Sequence, residues 1–300
     1  MESLYQMTSN LAQVRDDRTM TTRSDPSALR WLVGVELAHF RRQTGLSIAE
    51  VTERAGITRA KIGHMETGRY QQFPDDVTKL LRCYNVEQRD IDRLVSLASS
   101  TEGKTWWAPW SHLVPDWFKT FVGLEGLAEA EFCFEPMVLP GLVQTEAYAQ
   151  AITEATGFVR RDQNERFASF RVARARRVTD DDPLKLHVVI GEAALRLDVG
   201  TPEIRQAQYR HLLTLGKRPN VVVQVLRPED GPHTATSGGF FVLDFAQAQS
   251  VAYTERLDGA VYVQDQDDVR TYKMAVENVC SVALSSHQSL ALIRSLIDGS

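Results

Sequence analysis

Between Ser47 and Gly68 the chain reads Ser-Ile-Ala-Glu-Val-Thr-Glu-Arg-Ala-Gly-Ile-Thr-Arg-Ala-Lys-Ile-Gly-His-Met-Glu-Thr-Gly, and few folds can accept it. Ile48, Val51 and Ala55 fall on one face of a short helix. Ser47 precedes them as an N-cap with Glu50 three residues on, the spacing of a capping box. Gly56 can adopt the left-handed conformation that ends a helix. Thr58 then caps a second short helix, running to about Met65, with Ile57, Ile62 and Met65 turned inward. Thr52 and Ala55 are small enough to let the two helices approach. The outcome is a steep helix pair whose second member presents Thr58, Arg59, Ala60, Lys61 and His64 to the outside.

The pattern Leu46-Ser47, Val51-Thr52, Ala55-Gly56-Ile57, Thr58, Ile62 and Glu66-x-Gly68 resembles the Cro/phage-repressor (XRE-like) class of helix-turn-helix domains over residues 37–85. The resemblance implies sequence-specific binding of double-stranded DNA and transcription regulation. It also implies an ion pair between Arg41 and Glu66, which we read as structural because a partly buried carboxylate needs a bidentate partner. Arg59 is the expected base reader, able to fork to guanine O6 and N7. Ala60 suits a thymine methyl, and His64 lies far enough along the helix to reach the groove floor. Lys61, Arg69 and Ser47 are expected to meet phosphates, which position without specifying. One such module contacts few bases, so a homodimer reading half-sites about 34 Å apart is expected.

Around this motif the chain divides by composition. Residues 1–25 are polar and aperiodic and are predicted to be a disordered tail; either Met1 or Met20 could start translation. Residues 26–100 carry five helical patterns. In the first, Leu29, Leu32, Val33, Leu37 and Phe40 suggest one buried face. Residues 101–118 hold four of the five Trp and read as a docking linker. Residues 119–300 mix helical stretches (116–133, 144–156, 161–178, 201–216 and 266–298, broken near Ser285-Ser286) with strand-like runs at 184–190, 221–226, 240–245 and 250–255. The predicted architecture is multidomain: an all-α five-helix helix-turn-helix domain followed by an α+β domain with a small sheet.

Charge follows the same division. Residues 26–100 contain 11 Lys/Arg and 9 Asp/Glu, whereas residues 101–300 contain 20 and 26, so the front is mildly basic and the back acidic. Three scattered cysteines make no disulfide framework, and no Cys/His spacing suggests a metal site. No apolar run approaches the roughly 20 residues of a membrane helix. A cytoplasmic protein without cofactors, acting on no membrane, is the expectation.

The back half carries a second likeness. Trp106-Trp107, Trp117-Phe118, Leu124-Glu125, Glu135-Pro136, Pro140-Gly141-Leu142-Val143-Gln144-Thr145-Glu146, Tyr148-Ala149, Gly191–Arg196 and Gly238–Phe245 are similar to the domain that follows the helix-turn-helix in actinobacterial WhiJ-like, antitoxin-like regulators. That resemblance implies a small partner protein. Within residues 160–177 seven Arg stand against two acids, which makes Arg166, Arg171 and Arg174 candidate contacts for an acidic partner. A small-molecule sensor is the alternative reading of this domain. His187, His211, His233, Ser237, Asp244 and Glu192 form no nucleophile elbow, phosphate loop or metal spacing, so no enzyme is expected.

Overall fold

The computed structural model describes residues 25–100, 105–157 and 159–298. The expected tail up to Arg23-Ser24 and the first four linker residues lie outside the described residues. Asp25, placed by sequence in the tail, belongs to the fold: it is the N-cap of α1 (Pro26–Thr44), its Oδ1 accepting from Ser27 N and Ala28 N at 3.0 Å. Four more helices complete the front module: α2 (Ile48–Ala55), α3 (Arg59–Glu66), α4 (Pro74–Cys83) and α5 (Gln88–Ser99). Gly56, at φ +68°, ends α2. Val33, Leu37, Val51, Ile57, Ile62, Met65, Leu80 and Leu94 form the core of the module.

The single apolar face expected on α1 is in fact two. Every residue from Leu32 to Ala38 is buried. Val33 and Leu37 point into the front core, while Ala28 and Leu32 join the much larger core of the back module. Polar contacts reinforce this sharing. Asp25 Oδ2 accepts from the buried Trp107 Nε1 at 2.6 Å. Glu36, 1% exposed, takes a bidentate pair from Arg93 of α5 (3.0 and 2.6 Å) and a third bond from Gln249 N, while Arg93 also donates to Gln247 O. The Trp-rich segment is thus docked, with Trp110 Nε1 donating to Ser169 Oγ.

The back module follows as α6 (Asp116–Leu127), β1 (Ala130–Glu135), α7 (Glu146–Thr156), α8 (Asn164–Ala175), β2 (Lys185–Gly191), α9 (Glu192–Arg196), α10 (Pro202–Leu215), β3 (Val221–Leu226), β4 (Phe240–Asp244), β5 (Val251–Arg256), β6 (Gly259–Val263), α11 (Gln266–Val282) and α12 (Ser286–Asp298). Its strands form one six-stranded sheet in the order β3-β2-β1-β4-β5-β6. The β3-β2-β1 half is parallel, with helical crossovers, and the rest is antiparallel. The helix expected over 116–133 stops at Leu127 because the following residues alternate: Phe132 and Phe134 face one side of the sheet, Cys133 the other. The strands β1 and β6 and the short α9 were not read from the sequence. Among the described residues, no helix is long and apolar enough to cross a membrane.

The Arg-rich segment is largely an internal device. Arg174 is buried and clamps Glu125 through two bonds of 2.8 and 2.6 Å, its guanidinium 4.9 Å from the Phe118 ring centroid. Arg171 donates to Gln144 Oε1 at 2.5 Å and lies against Phe167. Burial pulls its pKa down to about 10. Arg174 is therefore not presented to a partner, which corrects the expectation for that residue; Arg171 is half-buried and engaged with Gln144, and Arg166 is exposed. Beneath them, Glu131 is 3% exposed with an unpartnered Oε2. Burial, and then the neighbouring Glu125, raise its pKa well above the usual range, which favours its neutral form.

Glu135 is pushed up to about 8, first by burial and then by Glu255, itself raised by burial. An unfolded chain releases such a proton near 4.5, so folding takes up a proton between these values, and stability falls as pH rises from about 5 to 8. One proton contributes about 1.4 kcal/mol per pH unit. Glu135→Gln should remove this share, stabilising the chain by about 4 kcal/mol at pH 7.5 and by less than about 1 kcal/mol at pH 5. Urea denaturation at both pH values measures the difference, and a residual slope from Glu131 and Glu255 is expected.

Candidate nucleic-acid interface

Recognition of a duplex by a helix requires that the helix be exposed along one side and immobile on the other. The immobile side of α3 rests on α1 through an unusually close approach of backbones. A Cβ placed on Gly34 would lie 2.6 Å from Met65 O and 2.9 Å from Gly68 N, and one on Gly68 would lie 2.8 Å from Arg30 O. Gly68 also has φ +65°, so glycine is required there twice over. The fully buried Gln72 staples the same junction, its Nε2 donating to Arg30 O at 2.8 Å and Met65 O at 2.7 Å.

Charge completes the mounting. Arg41 Nε donates to Glu66 Oε1 at 2.6 Å and Nη2 to Oε2 at 2.9 Å, while Nη1 reaches Leu46 O at 3.2 Å. One guanidinium thereby ties the end of α3 to α1 and to the turn before α2. The hydrogen bond that Arg41 donates to Glu66 is the largest cause of its raised pKa.

The opposite side is open. Thr58 caps α3, its Oγ1 accepting from Lys61 N at 3.3 Å. Thr58, Arg59, Ala60 and Arg69 are exposed, and among the described residues neither Arg59 nor Arg69 is in an ion pair. Two other candidates are already engaged. Lys61 Nζ sits 2.6 Å from Asp76 Oδ2 of α4, so a phosphate must compete with a carboxylate for it. Ser47 Oγ donates to Glu50 Oε2 at 2.7 Å and accepts from Glu50 N, closing the capping box. His64 is half-buried and meets Tyr70 edge-on, ring centroids 4.7 Å apart.

Tyr70 and Phe73, 61% and 54% exposed, extend this surface beyond α3. They and Asp76 were not singled out from the sequence. Exposed aromatics next to Arg69 could have flagged the first two, but nothing local marks a Lys61–Asp76 pair.

Elsewhere, Cys280 Sγ lies 3.7 Å from His187 Nε2, which also meets Gln224 Oε1 at 2.7 Å. Burial pushes the thiol up to about 11 and lowers the imidazole. Both shifts favour neutral forms, the opposite of an activated thiolate. No group of three or more His, Cys, Asp or Glu among the described residues could hold a metal ion.

Two measurements probe this surface. Asp76→Asn should free Lys61, raising DNA affinity at low salt severalfold and steepening the slope of log K against log salt by about one. Adding Lys61→Ala should cancel the gain in a fluorescence-anisotropy salt series. Gly34→Ala should separate α3 from α1 and destabilise the chain by about 2–4 kcal/mol, read as a lowered thermal midpoint.

A model of a Helix-turn-helix domain matches residues 32–94, the span that contains both the recognition helix and its mounting. Searches of curated proteins and of solved structures returned no match. A second model, the Domain of unknown function (DUF5753), matches residues 118–295, more than half of the chain and nearly all of the back module. The chain therefore belongs to the DUF5753 family, in which it joins that domain to a helix-turn-helix.

Proposed function

We propose that this protein is a cytoplasmic transcription regulator that reads duplex DNA with the N-terminal turn of α3 and acts as a homodimer. The observation that carries the reading is the contrast between the two sides of α3: Gly34, Gly68, Gln72, Arg41 and Glu66 fix one side, while Thr58, Arg59, Ala60 and Arg69 stand free on the other. A fixed, donor-rich helix start is what the major groove receives. Arg59 reads a guanine, Ala60 contacts a methyl group or a sugar, and Arg69 holds a phosphate. His64 is oriented by Tyr70 toward the same groove.

The back module, on this reading, receives a signal and performs no catalysis. Its resemblance to the WhiJ-like modules supports a small protein as that signal. With Arg174 committed internally to Glu125, such a protein binds elsewhere than along that side chain. A small-molecule signal has its own support in a cavity of about 310 Å³ between α9, α10 and α12, lined by Arg196, Arg205, Gln206 and Tyr209. Co-purification of a small protein from native cells favours the first reading. A thermal shift with cell metabolites that Arg205→Ala removes favours the second.

Binding-site selection tests the DNA reading itself. The wild type should enrich a two-fold-symmetric sequence with half-sites about 34 Å apart. Arg59→Ala should lose preference at one position in each half-site, a discrimination of about 1–3 kcal/mol. An unchanged preference would overturn the role of Arg59, and no enrichment at all would overturn the regulator reading.

A further inference from the structure

Glycine inside a helix is destabilising unless something requires it, because it loses more chain freedom on folding than any other residue and packs nothing. The glycines of this chain have such requirements, with one exception. Among the described residues, every other glycine either takes a positive φ or stands where an added Cβ would meet a heavy atom within 3.4 Å. Gly63 does neither. It is the fifth of the eight residues of α3 and has right-handed helical backbone. A Cβ placed on it would find nothing within 4 Å. Neither the conformation nor the packing of the folded chain accounts for a glycine there.

Its position on α3 does. Residues three and four apart share one side of a helix, so Gly63 lies beside Arg59, Ala60 and Thr67, all exposed. Ile62 and Met65 are turned the other way, into the core. Thr67 keeps its hydroxyl on the helix, Oγ1 donating to Gly63 O at 2.9 Å and to His64 O at 3.2 Å. The middle of the exposed side therefore carries only Ala60, Gly63 and Thr67, flanked by the longer Arg59 and His64. A helix with its side chains is about 10–12 Å across, and the major groove is about 12 Å wide. Such a helix enters with little to spare, and the side chains on its leading side set how deep it goes.

We propose that Gly63 is the point where the backbone of α3 meets the duplex, the room left by its absent side chain being filled by DNA. The proposal rests on the DNA reading above and assigns a positioning residue that the reading does not use. Seated on Gly63, the helix axis comes closer to the base edges than a side chain there would allow. Arg59 and His64 are thereby brought within reach of the bases together. The helical stability that glycine forfeits in the free protein is offset by depth in the groove.

Gly63→Ala and Gly63→Leu separate stability from binding. Both place strong helix formers in open space, so each variant should fold, and Gly63→Ala should raise the thermal midpoint by about 2 °C. Binding is read by fluorescence anisotropy on the duplex that binding-site selection enriches and on an unrelated duplex of equal length. Gly63→Ala should weaken binding to the selected duplex about tenfold, and Gly63→Leu about 100-fold or more. Binding to the unrelated duplex, and the slope of log K against log salt, should stay as in the wild type because no charge changes. A Gly63→Ala variant that binds the selected duplex as tightly as the wild type overturns the proposal. So does a lowered midpoint, which would give the glycine a reason inside the fold, and so does an equal loss on both duplexes. A wild type that enriches no sequence fails earlier, at the DNA reading itself, and takes this proposal with it.

Discussion

The rest of the structure depends on the burial of α1 on two sides at once. Most helices in a chain of this size present one apolar stripe to one core. Here adjacent residues, Leu32 and Val33, point into different cores. The recognition helix is seated on the backbone of α1 at Gly34, and α1 is in turn seated on α6 beside Gly123, where a Cβ would meet Asp25 and Ala28 at 2.6–2.8 Å. The orientation of the DNA-reading surface is therefore set by the back module as well as by its own five helices. Glu36 and Arg93 add a polar bond between the two, and its direction is fixed by the bidentate geometry.

Buried charge in this protein is organised by compensation. Arg174 costs a large desolvation free energy that Glu125 and the surrounding aromatic faces offset. Burial, and then the negative charge of Glu125, favour the protonated form of Glu131, and the pull of Arg174 and Arg177 only partly opposes them. Arg177 spends its donors on the carbonyls of Ala128 and Asp182 instead. The same logic places Asp25 at a helix N-terminus, where three donors from Ser27 and Ala28 and the Trp107 indole surround its carboxylate.

What could be read from the sequence was what is local. The α2–α3 turn is written in consecutive residues, with Ser47, Gly56 and Thr58 acting on their immediate neighbours, and the five-helix front and α+β back follow from periodicity. Other features depend on distance along the chain. The strand β1 was hidden because Ala-Glu-Phe-Cys-Phe-Glu follows a helix without a Gly or Pro break, and only pairing with β2 and β4 makes it extended. Five residues of an edge strand carry too little apolar signal, so β6 was missed as well. Arg171 and Arg174 show the limit most clearly: a count of arginines cannot say whether guanidinium groups face solvent or a buried glutamate 49 positions away. Lys61 and Asp76 repeat the lesson within the candidate interface.

Because Ala28 and Leu32 belong to the larger hydrophobic mass, the compositional seam near residue 100 is not a place where the polypeptide can be severed cleanly. An excised front fragment would carry Leu32 and Trp31 as bare apolar surface, and the complementary fragment would open a trench along α6 where α1 had lain. Along α1 the two halves share one apolar seam, and each covers surface that the other would leave bare.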